Sequence, residues 1–189
     1  MDDNFNIIKV GVTNCYLLKS DSGAVLVDTG YKGKAKIILD FLFTNRINPK
    51  SIKLIILTHA HYDHIGNVSE IKESSGAKIL LHKDDLKLLK SGLTDSQSTK
   101  PLNMWGKFLL SKVSSIDTKF NTFKPDIIID SEYDLSEYGI KGRIVPTPGH
   151  SDGSISIILN SKKALIGDLA MNGPPLRLGA GEPIFGENI

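Results

Sequence analysis

The stretch THAHYDHIGN, residues 58–67, places three of the chain's five histidines and one aspartate within a short span. Its pattern is H-x-H-x-D-H, formed by His59, His61, Asp63 and His64. Imidazole nitrogens and carboxylate oxygens are the groups with which proteins bind zinc and related metals. Helix capping is the alternative, but a cap uses one short polar side chain rather than three imidazoles. The stretch therefore predicts a metal-binding site.

The flanking sequence places this cluster in a loop between a strand and a helix. The preceding residues IKLIILT are apolar at successive positions, as in a strand covered on both faces. The following residues IGNVSEIKESSG have helical periodicity and end at Gly76, a usual helix stop. Ligands collect at the carboxyl ends of strands in open α/β architectures. We therefore expect the side chains of the cluster to converge on one point.

Further ligands must come from other strand ends, and two candidates occur downstream. RIVPTPGH is an apolar strand and a turn that end in His150, and KALIGD is an apolar strand that ends in Asp168. A loop histidine without function and a turn-forming aspartate are the alternatives. Together with the cluster, both residues are candidate metal ligands.

The remaining segments predict a mixed α and β chain. NIIKVG, NCYLLKS and GAVLVDTG favour strands that begin an antiparallel sheet, and KGKAKIILDFLFTNRI favours a helix. AKILLH, GRIVPT and GSISIIL favour further strands, and KDDLKLLKSG favours a helix. At 189 residues, we expect a single domain over 1–189. A helical insertion at about 91–124 carries apolar residues at helical spacing, which favours packing on the domain, a homodimer contact or a lid.

Composition limits the location and the partners. The net charge is +2 without a clustered basic face, so no nucleic-acid partner is expected. No apolar run reaches the length of a membrane span, and the first ten residues do not resemble a secretory signal. The single cysteine, Cys15, excludes an internal disulfide. These features predict a cytoplasmic protein with a small-molecule substrate.

The motifs NCYLL, LVDTG, LIILTHAHYDHIGN, TPGHSDGSI and LIGD follow one another as in the metallo-β-lactamase superfamily. The chain resembles its glyoxalase II-like and lactonase-like hydrolase branch. The resemblance implies an α+β fold, an αβ/βα four-layer sandwich with metals at one edge between two sheets. It further implies that His59, His61 and His150 hold a first metal. Asp63 and His64 would contribute to a second metal, and Asp168 would bridge the two.

One departure from this family pattern concerns the second metal. The family usually supplies a last histidine from a strand beyond the bridging aspartate, but no histidine follows Asp168 here. A weak second site and an incomplete chain are the two explanations. We favour an incomplete chain that lacks the last strand and helix of the sandwich.

The ligand set indicates the chemistry. Imidazoles and carboxylates suit one or two zinc ions, with iron or manganese as alternatives. Zinc lowers the pKa of bound water to about 7 and so provides hydroxide at neutral pH. We predict a zinc-dependent hydrolase in which this hydroxide attacks an ester, thioester or lactone, while Asp63 orients the water and accepts its proton. A phosphodiesterase, a mononuclear-iron persulfide dioxygenase and a non-catalytic metal-binding fragment are the alternatives.

Three residues outside the ligand set require an assignment. Asp28, after the strand AVLV, is predicted either to hold the free N–H of a ligand histidine or to form a turn. His82 follows a strand, and we expect it to start a helix or pack rather than bind metal. Cys15 lies on an apolar strand and is expected to be a small buried residue.

Overall fold

Twelve strands and four α-helices lie within the residues that the structure describes. The computed structural model describes residues 5–91, 100–101, 120–170 and 185–186. The strands are β1 (Phe5–Val10), β2 (Thr13–Ser20), β3 (Gly23–Val27), β4 (Ile52–Ile56), β5 (Lys78–His82), β6 (Lys100–Pro101), β7 (Ile127–Ile129), β8 (Tyr133–Asp134), β9 (Gly142–Pro146), β10 (Ile155–Leu159), β11 (Ala164–Leu165) and β12 (Phe185–Gly186). The helices are α1 (Ala35–Thr44), α2 (Tyr62–Ile65), α3 (Val68–Ser75) and α4 (Leu86–Ser91).

The first sheet has the strand order β1-β2-β3-β4-β5-β7. Strands β1, β2 and β3 pair antiparallel, whereas β3, β4, β5 and β7 pair parallel. Gly11 permits the tight turn between β1 and β2, because its φ of 74° lies in the left-handed region. Helix α1 connects β3 to β4, since adjacent parallel strands need a crossover. The predicted antiparallel start of the sheet is confirmed.

The second sheet has the order β11-β10-β9-β8, and all of its pairs are antiparallel. It meets the first sheet beside the histidine cluster, where the Ile155 N–H donates to the Thr58 carbonyl at 2.9 Å. Strands β6 and β12 form a separate short pair. The contact at Thr58 joins the end of β4 to the start of β10 and so ties the two sheets together at one edge.

Strand β4 is buried on both faces, as its sequence predicts. Leu54 and Ile56 belong to the apolar cluster that lies between the two sheets. Ile52 and Ile55 belong to a second cluster, which α1, α3 and α4 cover. Each fully buried Leu or Ile contributes roughly 1.5–3 kcal/mol of transfer free energy, so the strand that leads to the histidines is firmly held. The described layers are helices, first sheet and second sheet, in agreement with the predicted α+β sandwich.

The helix predicted after the histidine cluster is interrupted. Helix α2 ends at Ile65, and α3 begins at Val68 and ends at Ser75, where Gly76 caps it with a φ of 74°. The non-helical residue at the interruption is Asn67, with φ −117° and ψ 14°. Gly66 keeps helical angles, and a Cβ on it would lie 2.1 Å from the Lys32 backbone nitrogen. Gly66 therefore lets α2 pack directly against the segment after β3.

Two other predictions differ in detail or remain open. The strand in KALIGD comprises only Ala164–Leu165, and Asp168 lies in the 3-10 turn Gly167–Leu169 that follows it. Most of the predicted insertion at 91–124, with the apolar residues that suggested a lid or a dimer contact, lies outside the described residues. Within the part of the chain that the structure describes, no helix is both long and apolar enough to cross a membrane.

Candidate metal centre

His59, His61 and His150 converge at the edge where the two sheets meet. His59 and His61 follow β4, and His150 lies in the turn between β9 and β10. One ring nitrogen from each lies within 4.8 Å of the others, and all three residues are buried. The His150 Nε2 atom lies 2.9 Å from His61 Nδ1. The structure thus brings together the three residues that the sequence predicted for one ion.

Two nitrogens of this set are buried without a hydrogen bond. The Nε2 atoms of His59 and His61 are shielded from solvent and contact no hydrogen-bonding partner among the described residues. Burial and the neighbouring imidazoles lower the pKa of His59 well below its usual range, and burial and His150 lower the pKa of His61 to about 3. Both rings are therefore neutral at pH 7. A neutral imidazole has a lone pair on one ring nitrogen, and a cation would satisfy the lone pairs that converge here.

A second convergent set contains His59, His64 and Asp168. Asp168 reaches toward two histidines: its Oδ1 lies 3.3 Å from His64 Nε2, and its Oδ2 lies 3.7 Å from His150 Nε2. Burial alone would raise the pKa of Asp168, but the neighbouring imidazoles, His64 foremost, outweigh it and lower the pKa to about 2. An ionised carboxylate therefore lies between the two sets.

Asp63 lies beside the second set rather than within it. Its Oδ2 is 3.8 Å from His64 Nε2 and 3.5 Å from the Thr13 hydroxyl, which donates to it. Burial is the main cause of its raised pKa, with the Asp168 charge adding to it, against the opposing effect of His64. In this arrangement His59, not Asp63, completes the convergent group with His64 and Asp168.

Asp28 holds the segment that carries the cluster. Its Oδ1 accepts the Thr58 N–H at 2.8 Å, and its Oδ2 accepts the Thr58 hydroxyl at 2.8 Å. The same Oδ2 lies 2.8 Å from His64 Nδ1. Asp28 has a φ of 59°, a left-handed conformation that aspartate tolerates better than most residues. The structure thus places Asp28 against a candidate ligand histidine, as one of the two sequence interpretations expects.

His64 lies among three carboxylates. Its burial would lower its pKa, but the carboxylates of Asp28, Asp168 and Asp63 outweigh burial and raise the pKa well above the usual range. In the metal-free protein, His64 is therefore protonated at pH 7. A protonated imidazole carries a proton on each ring nitrogen, so His64 Nε2, which faces Asp168, carries one of the two.

Sequence reasoning missed two buried polar residues that support the cluster. The Asn67 amide donates to the Thr29 carbonyl at 2.6 Å, and its Oδ1 accepts the Lys34 N–H at 2.9 Å. The Asp85 carboxylate accepts the Ala60 N–H at 2.7 Å. A polar residue within the apolar helical pattern was the available signal for Asn67. For Asp85 the sequence offers two adjacent aspartates and no means to choose between them.

The other assigned residues lie apart from the two ligand sets. His82 Nδ1 accepts the Asp84 N–H at 3.4 Å, which places His82 at the start of a helical turn, as predicted. His82 belongs to neither convergent set found among the described residues. Cys15 is completely buried, and this burial raises the pKa of its thiol. Like His82, Cys15 belongs to neither convergent set within the part of the chain that the structure describes.

Residues 8–187 match the model of the metallo-β-lactamase superfamily. The chain belongs to this superfamily. Members similar to it include a probable metallo-hydrolase from Methanocaldococcus jannaschii, 33% identical over 77% of this chain and 62% of the relative. A probable metallo-hydrolase from Bacillus subtilis is 30% identical over 85% of this chain and 67% of the relative. The family assignment confirms the resemblance deduced from the motifs.

Two further comparisons extend this picture. A hydroxyacylglutathione hydrolase from Haemophilus influenzae is 27% identical over 90% of this chain and 73% of that protein. Among solved structures, a subclass B3 metallo-β-lactamase of Bradyrhizobium japonicum has a TM-score of 0.64 at 26% identity, over 86% of this chain and 57% of that chain. The chain spans about half to two thirds of the length of the first curated relatives that it matches. The metallo-β-lactamase fold is thereby confirmed.

Proposed function

We propose that the chain carries the catalytic metal centre of a hydrolase that cleaves an ester, thioester or lactone. The observation that carries this proposal is the convergence of one ring nitrogen each from the buried residues His59, His61 and His150 within 4.8 Å. A fold alone does not define an activity, whereas a set of inward-facing imidazoles indicates a specific chemistry. The names of the metallo-hydrolase relatives support the same assignment.

The proposed ligands form two sets. His59, His61 and His150 hold a first ion, and three neutral imidazoles favour zinc, with iron or manganese as alternatives. Asp63 and His64 contribute to a second ion. Asp168 is shared, because its two carboxylate oxygens lie toward His150 and His64 respectively. The second set is the weaker one, since Asp63 lies outside the convergent group.

A bound divalent cation would supply Lewis acidity, lowering the pKa of water and polarising a substrate carbonyl. The protein's own groups then orient the reactants and move the proton. Asp63 accepts the proton of the attacking water on its carboxylate, and its raised pKa brings this carboxylate closer to the operating pH than that of an ordinary aspartate. Thr13 donates to Asp63 Oδ2 and so limits its rotation.

Asp28 and Thr58 have a supporting role in this proposal. Asp28 accepts from His64 Nδ1, which leaves His64 Nε2 directed toward Asp168. The Thr58 hydroxyl donates to Asp28 Oδ2 and lies 3.1 Å from His59 Nδ1. Outer contacts of this kind fix the tautomer and orientation of ligand imidazoles.

A thioester is the favoured substrate class among the three. This preference is supported by the relative named as a hydroxyacylglutathione hydrolase, which covers most of the present chain. The substrate is thus proposed to be a small acyl thioester rather than a macromolecule. The cytoplasmic location stays a prediction from the sequence.

The test compares substrates on protein with a measured metal content. Zinc-loaded protein is assayed with an acyl-glutathione thioester, a p-nitrophenyl ester, a lactone and bis-p-nitrophenyl phosphate, with His61→Ala as the inactive variant and His82→Ala as the matched control. We expect the thioester to be cleaved by wild type and His82→Ala and not by His61→Ala.

Other outcomes would replace the proposal with one of its alternatives. Cleavage of the phosphate diester alone would establish a phosphodiesterase. Iron content combined with oxygen uptake on a glutathione persulfide would establish a dioxygenase. Metal without turnover in every assay would leave a metal-binding fragment.

A further inference from the structure

Asp85 is a buried carboxylate that the proposed chemistry does not use. It ends the 3-10 turn Lys83–Asp85 between β5 and α4, and its exposed fraction is 0%. A completely buried aspartate is rare unless its oxygens are satisfied by hydrogen bonds. The hydrogen-bond partners of Asp85 therefore indicate its role in the fold.

One group of partners lies in the loop after β4. Asp85 Oδ2 accepts the Ala60 N–H at 2.7 Å, and Ala60 lies between His59 and His61. A buried backbone N–H without a partner is costly, so the Ala60 N–H is held in place by this bond. This bond therefore fixes the backbone from which both imidazoles project.

The other partners lie in the turn that follows His150. Asp85 Oδ1 accepts the Gly153 N–H at 2.9 Å, and Oδ2 accepts the Ser151 hydroxyl at 3.2 Å. The backbone approaches so closely here that a Cβ on Gly153 would lie 2.5 Å from Asp85 Cγ. A single carboxylate thus joins the His59–His61 loop to the His150 turn.

The second ligand set has a different anchor. Asp28 on the other side of β4 binds Thr58 and His64, as described above. β3 and β5 are the two neighbours of β4 in the first sheet, and each is followed by one of these buried carboxylates. The two anchors therefore hold different segments: Asp28 holds Thr58 and His64, whereas Asp85 holds Ala60 and the turn after His150.

We propose that Asp85 is a positioning residue that sets the spacing of His59 and His61 against His150, and thereby the affinity of that set for a metal ion. The inference rests on the proposed metal centre. Loss of the Asp85 contacts weakens binding to the three-histidine set more than binding to the set that contains His64 and Asp168.

The test measures metal binding rather than turnover. Metal-free wild type and the variants Asp85→Asn, Ser151→Ala and Gly153→Ala are titrated with Co²⁺ and followed by visible absorption and equilibrium dialysis. Co²⁺ held by three imidazoles is four-coordinate and absorbs strongly, whereas a carboxylate-rich, higher-coordinate ion absorbs weakly. Asp84→Asn is the matched control, because Asp84 is the adjacent carboxylate and 46% of its side chain is exposed.

We expect Asp85→Asn and Gly153→Ala to weaken the strongly absorbing Co²⁺ by about 10–100-fold, the usual effect of losing an outer contact of a ligand. Ser151→Ala removes only the longest of the three bonds and should have a smaller effect. The weakly absorbing Co²⁺ and the control should change little. Gly153→Ala keeps every polar atom of the anchor, so it tests the proposal even where Asp85→Asn does not fold.

Circular dichroism and thermal melting in the presence of a chelator separate positioning from folding. Equal weakening of both Co²⁺ ions together with a lower melting temperature of the metal-free protein would show a merely structural role and overturn the inference. Unchanged Co²⁺ binding in both Asp85→Asn and Gly153→Ala would also overturn it. Failure of the wild type to bind Co²⁺ would instead remove the proposed metal centre itself.

Discussion

The Asp28 carboxylate lies 2.8 Å from His64 Nδ1, and solvent reaches almost no part of either side chain. Because Nδ1 donates to Asp28, the lone pair available for a metal is on Nε2. In the metal-free protein, Nε2 instead carries the proton that the raised pKa retains at neutral pH. A metal ion and this proton therefore compete for the same atom.

This competition predicts proton release when metal binds at pH 7. His59 and His61 are already neutral because their pKa values are lowered, so neither releases a proton. His64 has a raised pKa and must release about one proton before its Nε2 can bind a metal. Calorimetric titration with Zn²⁺ in buffers of different ionisation enthalpy measures this number.

The variant Asp28→Asn tests whether His64 is the source of the released proton. Asp28→Asn removes the largest cause that raises the pKa of His64, so the proton released at pH 7 should decrease. His82→Ala should release as much as wild type. Zn²⁺ binding without any dependence on the buffer would contradict the prediction.

The raised pKa of His64 also predicts how the stability of the metal-free protein depends on pH. A folded-state pKa above the unfolded value of about 6.5 stabilises the fold fully below that value, and this stabilisation is lost as the pH rises through the folded-state pKa. Urea unfolding at a series of pH values above 6.5, with chelator present, should show the decline. The decline in the free energy of unfolding with pH should be smaller in Asp28→Asn than in wild type. An equal decline in both proteins would argue against His64 as its cause.

The three-histidine set predicts a pattern of metal loss among histidine variants. His59→Ala, His61→Ala and His150→Ala each remove one of three ligands, so the metal affinity of each should fall by more than the roughly 10–100-fold expected for an outer contact. His82→Ala should keep the wild-type metal content, because His82 binds the Asp84 backbone instead. Elemental analysis after dialysis against excess zinc provides the comparison. Equal retention in all four variants would refute the ligand assignment.

Gly66 provides a prediction about the position of α2. A Cβ on Gly66 would clash with the backbone of Tyr31 and Lys32, and relief of the clash displaces the helix that carries Asp63 and His64. Gly66→Ala should lower the free energy of unfolding by about 1–3 kcal/mol and weaken the second metal ion. Urea unfolding and Co²⁺ titration measure the two effects.

Gly76→Ala is the control for Gly66→Ala. Gly76 has a φ of 74° at the end of α3, and a Cβ there would meet nothing within 4 Å. The left-handed conformation costs alanine about 1–2 kcal/mol, so stability should fall while metal binding is unchanged. The same loss of Co²⁺ in both variants would show that general destabilisation, not the position of α2, is responsible.

Local patterns predicted those parts of the site that depend on strand ends. IKLIILT is apolar on both faces, and the structure buries Leu54 and Ile56 on one side and Ile52 and Ile55 on the other. The turn after β9 delivers His150 to the cluster, as TPGH suggested. Each of these inferences needs only the residues of one segment.

The contacts between segments were not predictable in the same way. Asp84 and Asp85 are adjacent and chemically identical, yet one is half exposed and the other is completely buried. The difference arises from the turn at Ser151–Gly153, more than sixty residues away, which packs on Asp85. Likewise, the requirement for glycine at position 66 comes from the backbone after β3, which the helical pattern of α3 does not contain.

The two anchors follow β3 and β5, the neighbours of β4, so the alignment of these three strands has a consequence for the histidines. A substitution that alters how β4 aligns with either neighbour changes the spacing of the histidines before it unfolds the sheet. The pairing of Val27 with Ile56 and of Ile56 with Leu80 therefore sets where the two buried carboxylates meet the histidine loop, although none of these three residues is a candidate ligand.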